Sequence, residues 1–236
     1  MTPPAILYKF VGPSRLDVLR DKRIRFTPAC ALNDPFEFRC GAPVPEGEGI
    51  GHFEQKIHEK VERENLRDSQ SFGVLSLAEE WDSIPMWSHY ADSHKGFVIA
   101  FNTKSEWLES AWRDDKLKDV NYVKERICTT RRSKTDPGLR SGDVLRTKSI
   151  QWEYEHEWRW IECSPSHKDA DDQKVQFLRP FPAESISEII LGYRSSIIEL
   201  VDPIRKIIKE TPDYAHVRLR QVALHANEYK LEAKDL

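Results

Sequence analysis

Several features that would assign this sequence to a functional class are missing from it. No apolar run approaches the roughly 18 residues that a membrane-spanning helix needs, and residues 1–10 lack the basic region and long apolar core of a signal peptide. We therefore expect a soluble, cytoplasmic protein with no membrane partner. The sequence also contains no internal repeat, no Walker motif and no GxGxxG, GxSxG or HExxH motif.

Cysteine is scarce and carries no metal-binding pattern. The chain of 236 residues has 4 cysteines, which are Cys30, Cys40, Cys128 and Cys163. They form no CxxC pair, and no histidine lies near them at metal-ligand spacing, so no zinc site or other metal cofactor is expected. Free thiols in a reducing compartment are the expected state of these residues.

A strong net charge is absent as well. The chain has 36 basic and 39 acidic residues, which gives a formal net charge of -3, so overall charge does not indicate binding to nucleic acid or membrane. The charge is nevertheless uneven, because the segment 124–148 contains eight basic and three acidic residues. This segment is either a solvated loop or a patch that faces phosphate or nucleic acid.

The pattern of apolar residues predicts a single α+β domain over 1–236, because no change of composition marks a linker. Apolar and alternating patterns predict strands at 6–11, 23–26, 72–77, 152–162, 174–177 and 186–191. The segment 96–102 is apolar on both faces and predicts a fully covered central strand. Helical spacing predicts helices over 52–70 and 196–209, and Pro203 indicates a kink or a late start in the second of these. The expected fold has central mixed or antiparallel sheets with flanking helices.

The segment 152–160, WEYEHEWRW, is the most unusual in the chain. Alternation along a strand would place its aromatic residues and His156 on one face. The opposite face would then carry Glu153, Glu155, Glu157 and Arg159. This face is either a solvent-exposed row of carboxylates or a site in which a cation or substrate compensates their repulsion.

Two further clusters each allow a structural and a functional interpretation. The segment LNDPFE at 32–37 is typical of a turn. A functional role for its residues Asn33, Asp34 and Glu37 requires that they converge with the carboxylate face of the aromatic segment. The segment PMWSHYAD at 85–92 is expected to be a short helix, whose Trp87 and Tyr90 either pack in the core or stack on an aromatic ligand.

The chain resembles the bacterial domain-of-unknown-function 2971 family in the order and spacing of several motifs. These are LYKF at 7–10, RIRFTPACALNDPFE at 23–37, VLSLAEEWDSIPMWSHYADSHKGFVIAF at 74–101, VNY at 120–122, Lys148 followed by WEYEHEWRWI at 152–161, and IILG at 189–192. The resemblance covers most of the chain, from residue 7 to about residue 192. It implies a setting in bacterial phage defence or a toxin system.

The arrangement also resembles, more distantly, the ADP-ribosyltransferase fold, which has a His or Arg on an early strand, a Ser or Tyr on a second strand and a catalytic Glu on a later one. In this chain the corresponding residues are Tyr8 or Lys9, Ser76, and Glu155 or Glu157. The resemblance implies that NAD is the substrate and that ADP-ribose passes to a protein or nucleic-acid acceptor, or to water.

The same resemblance assigns roles to individual side chains. Glu157 or Glu155 would stabilise the oxocarbenium-like transition state that forms when the nicotinamide–ribose bond breaks. The residues expected to contact NAD are Tyr8, Lys9, Arg25, Asn33, Ser76, Trp87, Tyr90 and Arg159. Among these, Arg25, Arg159 or Lys9 would hold the pyrophosphate, and Trp87 and Tyr90 would line the ring pocket.

Two alternatives from other functional classes remain open at this stage. In a metal-dependent nuclease, Asp34, Glu153, Glu155 and Glu157 would bind Mg²⁺ and the basic segment 124–148 would hold the nucleic-acid backbone. In a non-enzymatic interaction module, the carboxylate face would be a docking surface. A cleft that contains Tyr8, Ser76, Trp87 and Glu157 would favour an enzyme.

Overall fold

The structure is a computed structural model that describes residues 1–37, 71–125, 141–163 and 177–236. The predicted helix over 52–70 lies outside the described residues, and so do most of the basic segment 124–148 and the beginning of the predicted strand 174–177. Cys40 and Cys128 lie outside them as well.

The described residues alternate between short strands and short helices. In chain order these are β1 (Ile6–Val11), α1 (Asp17–Asp21), β2 (Arg23–Arg25), β3 (Thr27–Pro28), β4 (Phe72–Ala78), α2 (Ile84–Tyr90), β5 (Phe97–Asn102), α3 (Glu106–Arg113), β6 (Leu117–Asp119), β7 (Asn121–Val123), α4 (Ser141–Leu145), β8 (Thr147–Ser149), β9 (Glu157–Cys163), β10 (Leu178–Pro180), β11 (Ile186–Leu191), α5 (Asp202–Glu210), β12 (Arg218–Leu224) and β13 (Leu231–Asp235). Short 3-10 helices cover Ala29–Ala31, Ile150–Glu155, Ala183–Ser185 and Pro212–Tyr214.

Nine of the strands form one mixed sheet. Its order is β13-β12-β11-β5-β1-β4-β9-β6, and β3 pairs with β4 outside this path. Strands β11 and β12 are parallel, whereas β1 is antiparallel to both of its neighbours. Two small sheets, β10–β2 and β7–β8, account for the other paired strands of the described residues. The predicted α+β class, with a central mixed sheet and flanking helices, is confirmed.

Both faces of the central sheet are covered, and β5 shows this most clearly. Phe97, Ile99 and Phe101 belong to the larger hydrophobic cluster, which also contains residues of α1, α3 and α5. Val98 points the other way, into a second cluster that includes Trp87 of α2. All residues from 97 to 101 are buried, so the prediction of a fully covered central strand is confirmed.

The aromatic segment is a strand in its second half alone, which corrects the prediction of a continuous strand from residue 152. Residues Ile150–Glu155 form a 3-10 helix, which begins where the Ser149 side chain accepts a hydrogen bond from the Gln151 backbone. His156 ends this helix in a left-handed conformation with φ 41°, and β9 begins at Glu157. Because the helix breaks the period of two, Glu153 is exposed and does not share a face with Glu157.

The described helices are all short. The C-terminal one begins with a π-helical turn over Ile197–Val201 and continues as α5, whose second residue is Pro203. Pro203 has no N–H to donate to the preceding turn, and the π-helical turn directly before it is the local departure from α-helical hydrogen bonding that accompanies the proline. Within the described ranges, no helix has the length and apolar character required to cross a membrane.

Candidate active site

The central sheet separates between β1 and β4. Strand β1 pairs with β5 along its whole length, whereas its pairing with β4 is confined to Tyr8 and Ala78. Beyond that pair the Lys9 side chain bridges the two strands, because its Nζ donates a hydrogen bond of 2.9 Å to the Ser76 carbonyl. A cavity of about 190 Å³ lies at this separation.

The cavity brings together eight of the ten residues predicted to form the site. These are Tyr8, Lys9, Asn33, Ser76, Tyr90, Glu155, Glu157 and Arg159. Lys148 and several apolar side chains complete the lining. The strand register explains the convergence, because Ala78 of β4 lies opposite both Tyr8 and Glu157, and Ser76 lies opposite Arg159. Side chains in register on neighbouring strands share a face of the sheet.

A network of buried charges forms one side of the cavity. Arg159 donates from Nε to Glu157 Oε1 at 2.8 Å and from Nη2 to Glu157 Oε2 at 2.9 Å, and Nη1 donates to the Leu145 carbonyl. The Lys148 Nζ lies 2.5 Å from Glu155 Oε2 and 3.3 Å from Glu157 Oε2. All four charged residues are buried. Each of the two carboxylates has at least one cationic partner, which a buried charge requires.

The turn at 32–37 joins this network, which fulfils the condition set for its functional role. Glu37 accepts a hydrogen bond from Arg159 Nη2 and lies 3.6 Å from Lys148 Nζ. Asn33 donates to the Tyr90 hydroxyl at 2.6 Å, and that hydroxyl donates to Glu155 Oε1 at 2.6 Å. Asp34 serves the turn itself, because its Oδ1 accepts from the Phe36 backbone.

The environment shifts the protonation of the charged lining residues. Burial opposes ionisation of Glu157, but the charges of Arg159 and Lys148 outweigh it and lower the pKa of Glu157 to about 2. Burial lowers the pKa of Lys9 to about 8, although the negative charges of Glu157 and Glu155 act in the opposite direction. Glu157 is therefore a fixed anion, and Lys9 loses its proton far more readily than an ordinary lysine.

The pKa values of Lys148 and Tyr90 are both raised in the cavity. Burial opposes the charged form of Lys148, but the charges of Glu157 and Glu37 outweigh it and raise its pKa. Burial raises the pKa of the Tyr90 hydroxyl, and its hydrogen bond to Glu155 raises it further. Tyr90 therefore remains a hydrogen-bond donor at neutral pH.

One comparison with known proteins yields a match. Residues 86–160 match the model of a family described as "Protein of unknown function (DUF2971)". The similarity of the chain to the DUF2971 family therefore rests on about a third of its residues. No curated protein and no solved structure matches it. The segment matched by the DUF2971 model contributes Tyr90, Lys148, Glu155, Glu157 and Arg159 to the cavity, while Lys9, Ser76 and Asn33 precede it.

Trp87 and Arg25 do not line the cavity, in contrast to the prediction. On α2, Met86 and Tyr90 lie one turn apart and face the cavity. Trp87 lies on another side of the helix, is fully buried, and donates from its indole nitrogen to the Trp81 carbonyl at 2.6 Å. Arg25 lies on β2, which pairs with β10 in a separate small sheet.

Lys148 is the principal cavity residue that the sequence patterns do not assign to the site. By composition alone it belongs to the basic segment 124–148. In the structure it lies on β8, opposite Tyr122 of β7, and the Tyr122 hydroxyl accepts a hydrogen bond of 2.9 Å from the Glu157 backbone. The nearby run of three glutamates at 153–157 is the available signal, since buried carboxylates require cationic partners.

The carboxylate arrangement expected for a nuclease does not form. Glu153 is exposed and does not line the cavity, whereas Glu155 and Glu157 are each paired with Lys148. Within the part of the chain that the structure describes, no group of three His, Cys, Asp or Glu residues has metal-binding geometry.

Proposed function

We propose that this protein is an NAD-utilising enzyme that breaks the nicotinamide–ribose bond and passes ADP-ribose to an acceptor or to water. The observation that carries the proposal is the convergence of Lys9, Ser76 and Glu157 on one cavity. They lie on β1, β4 and β9, which are consecutive in the sheet. The resemblance to the ADP-ribosyltransferase fold requires such a convergence of an early, a second and a later strand.

The chemistry of the cavity supports this assignment. Breaking the bond to nicotinamide develops positive charge on the ribose, as glycoside cleavage does. Glu157 is an anion that Arg159 holds in a fixed orientation, and a preorganised charge of this kind stabilises the transition state without reorganisation. Glu155 is the second candidate for this role, because its carboxylate lines the same cavity.

The dimensions of the cavity fit one ring rather than a whole dinucleotide. A cavity of about 150 Å³ is large enough for benzene, and this one measures about 190 Å³. Tyr8, Phe10, Met86 and Tyr90 supply aromatic and apolar contacts for a ring. We therefore assign the cavity to the nicotinamide group, with the rest of NAD extending beyond it.

Release of nicotinamide from NAD tests the proposal. Purified protein is incubated with NAD, alone and with bacterial lysate as a source of protein and nucleic-acid acceptors, and free nicotinamide is measured by chromatography. We expect release by the natural chain and by the control Glu153→Gln, whose side chain is exposed. We expect a loss of at least about 100-fold in Glu157→Gln, the size of effect seen when one preorganised group is removed.

NAD binding is measured on the same samples, because Glu157→Gln also weakens a buried ion pair. A folded Glu157→Gln protein that binds NAD and releases no nicotinamide is the expected result. The same comparison with Glu155→Gln identifies which carboxylate acts on the ribose. A natural chain that neither binds NAD nor releases nicotinamide with any lysate fraction rejects the proposal. The setting in phage defence or a toxin system and the cytoplasmic location remain predictions.

A further inference from the structure

Lys9 has an environment that is unusual for a lysine. It lies on β1, in the middle of the sheet, and its side chain lines the cavity. Its Nζ donates to the Ser76 carbonyl, which is the acceptor found for it among the described residues. An ammonium group has three donors and an amine has two, so the nitrogen keeps hydrogens or a lone pair available for a ligand.

The protonation of Lys9 suits nucleophilic chemistry. A lysine attacks a carbonyl carbon when its amine is neutral. Removal of the amine from water, or a neighbouring cationic group, increases the neutral fraction. Here burial lowers the pKa of Lys9 to about 8 and Arg15 acts in the same direction, against Glu157 and Glu155. At pH 7.5 roughly a quarter of the Lys9 side chains are then neutral, roughly 200 times the fraction for an ordinary lysine.

The charges around Lys9 match a protonated imine. The buried network contains three carboxylates, Glu37, Glu155 and Glu157, and two cations, Lys148 and Arg159. Its formal charge of minus one therefore balances a single positive charge on the Lys9 nitrogen. An ammonium supplies that charge before reaction, and an iminium supplies it afterwards.

The same charge balance restricts the ligand. A carbonyl compound that carries a carboxylate or phosphate would add a negative charge for which the network has no free cation. The cavity volume admits a ring-sized group, and Phe10, Leu77 and Met86 line it with apolar surface. The expected ligand is neutral and no larger than a substituted ring.

We propose that Lys9 is a carbonyl-reactive amine, which condenses with a neutral, ring-sized aldehyde in the cavity to form an imine. The neutral Nζ adds to the carbonyl carbon to give a carbinolamine. The carbinolamine oxygen takes a proton from solvent and leaves as water, and the nitrogen lone pair forms the carbon–nitrogen double bond, which gives the protonated imine. No electrons are exchanged with another molecule. This activity requires no NAD and goes beyond the proposed function.

Reductive trapping tests the proposal on the full chain. The protein is incubated at pH 7.5 with benzaldehyde and cyanoborohydride, which reduces an iminium to a stable secondary amine, and peptide mass spectrometry measures the adduct at each lysine. We expect Lys9 to be modified at least 10-fold faster than Lys95, which is exposed and paired with Asp92. Lys9→Arg keeps the charge but forms no imine, so the fast adduct disappears, whereas Lys95→Arg retains it.

The outcomes separate this proposal from the NAD proposal. Modification of Lys9 no faster than that of Lys95 overturns the assignment of a reactive amine. Faster modification of Lys9 by glyoxylate, which is anionic, than by benzaldehyde overturns the neutral ligand class. Nicotinamide release is assayed without aldehyde, so a chain that fails there and still shows the fast Lys9 adduct rejects the NAD proposal alone.

Discussion

Arg159 binds the carboxylate of Glu157 through two hydrogen bonds, of 2.8 Å from Nε and 2.9 Å from Nη2. The two residues lie two positions apart on one face of β9, and both are buried. A bidentate pair of this kind fixes the orientation of the carboxylate as well as its charge. The same pair makes the site sensitive to acid and to substitution, because either partner alone would be a buried charge.

The free energy of unfolding is expected to fall in acid because the Glu157 carboxylate becomes protonated. Its pKa is about 2 in the folded protein and about 4.3 in an unfolded chain. Its contribution to the free energy of unfolding is therefore complete above pH 4.3 or so and is lost as the pH falls toward 2. The amount is on the order of 3 kcal/mol.

Urea unfolding between pH 5.5 and pH 3 measures this contribution. We expect the free energy of unfolding of the natural chain to fall more steeply with acid than that of Glu157→Gln. Glu153→Gln is the matched control, since its side chain is exposed, and it should follow the natural chain. Burial raises the pKa of Glu37, which acts in the opposite direction but is common to all three proteins. If the free energy of unfolding depends equally on pH in Glu157→Gln and in the natural chain, the prediction is contradicted.

Lys148→Met is expected to destabilise the protein by about 3–5 kcal/mol, the usual cost of removing one partner of a buried ion pair. The substitution leaves Glu155 without its cation and Glu157 with Arg159 alone. Lys118→Met is the control, because Lys118 pairs with Asp115 at the surface and such pairs contribute about 0–1 kcal/mol. Chemical unfolding at pH 7 compares the two variants. A similar loss in both would mean that the buried network contributes no more than a surface pair.

Part of this site follows from simple sequence rules. Alternation along β9 correctly predicted that Glu157 and Arg159 share a face while Trp158 and Trp160 occupy the other, because both faces of this strand are buried and the period of two is strict there. The predicted convergence of the turn at 32–37 with these carboxylates is also observed, since Glu37 accepts a hydrogen bond from Arg159 and Asn33 reaches Glu155 through the Tyr90 hydroxyl.

Other parts of the site depend on contacts that sequence periodicity does not encode. In the 3-10 helix over Ile150–Glu155, Glu153 is exposed and Glu155 is buried. Alternation with a period of two applies to strands alone, so it does not predict this difference. Trp87 was expected to be a ligand contact, but its position on α2 directs it into the core. Lys148 is buried beside three carboxylates, of which Glu37 is far away in sequence, and a local charge count contains no information on such contacts.

Gly96→Ala is expected to destabilise the protein by about 1–3 kcal/mol, the usual cost of overpacking. A Cβ at this position would lie 2.1 Å from the Val11 carbonyl oxygen, and backbone atoms cannot move aside as a flexible side chain can. Gly12→Ala is the control, since a Cβ there meets no atom within 4 Å. Thermal unfolding should show a lower midpoint for Gly96→Ala and little change for Gly12→Ala. Equal midpoints would show that β1 and the residue before β5 adjust freely.

Lys9 is expected to give the protein an unusual gain of stability in alkali. Its pKa is about 8 in the folded protein and about 10.4 when unfolded, so between these values the unfolded chain binds more protons. The free energy of unfolding therefore rises with pH, by about 2 kcal/mol from pH 7.5 to pH 9.5.

Lys9→Met should remove this rise, whereas Lys95→Met, an exposed control, should keep it. The difference between the two pH values is the informative quantity, because the substitution also leaves the Ser76 carbonyl without its donor at both pH values. Urea unfolding of the natural chain and both variants at pH 7.5 and pH 9.5 gives that difference. If Lys9→Met retains the full change, Lys9 carries an ordinary proton affinity, and the cavity does not desolvate its amine.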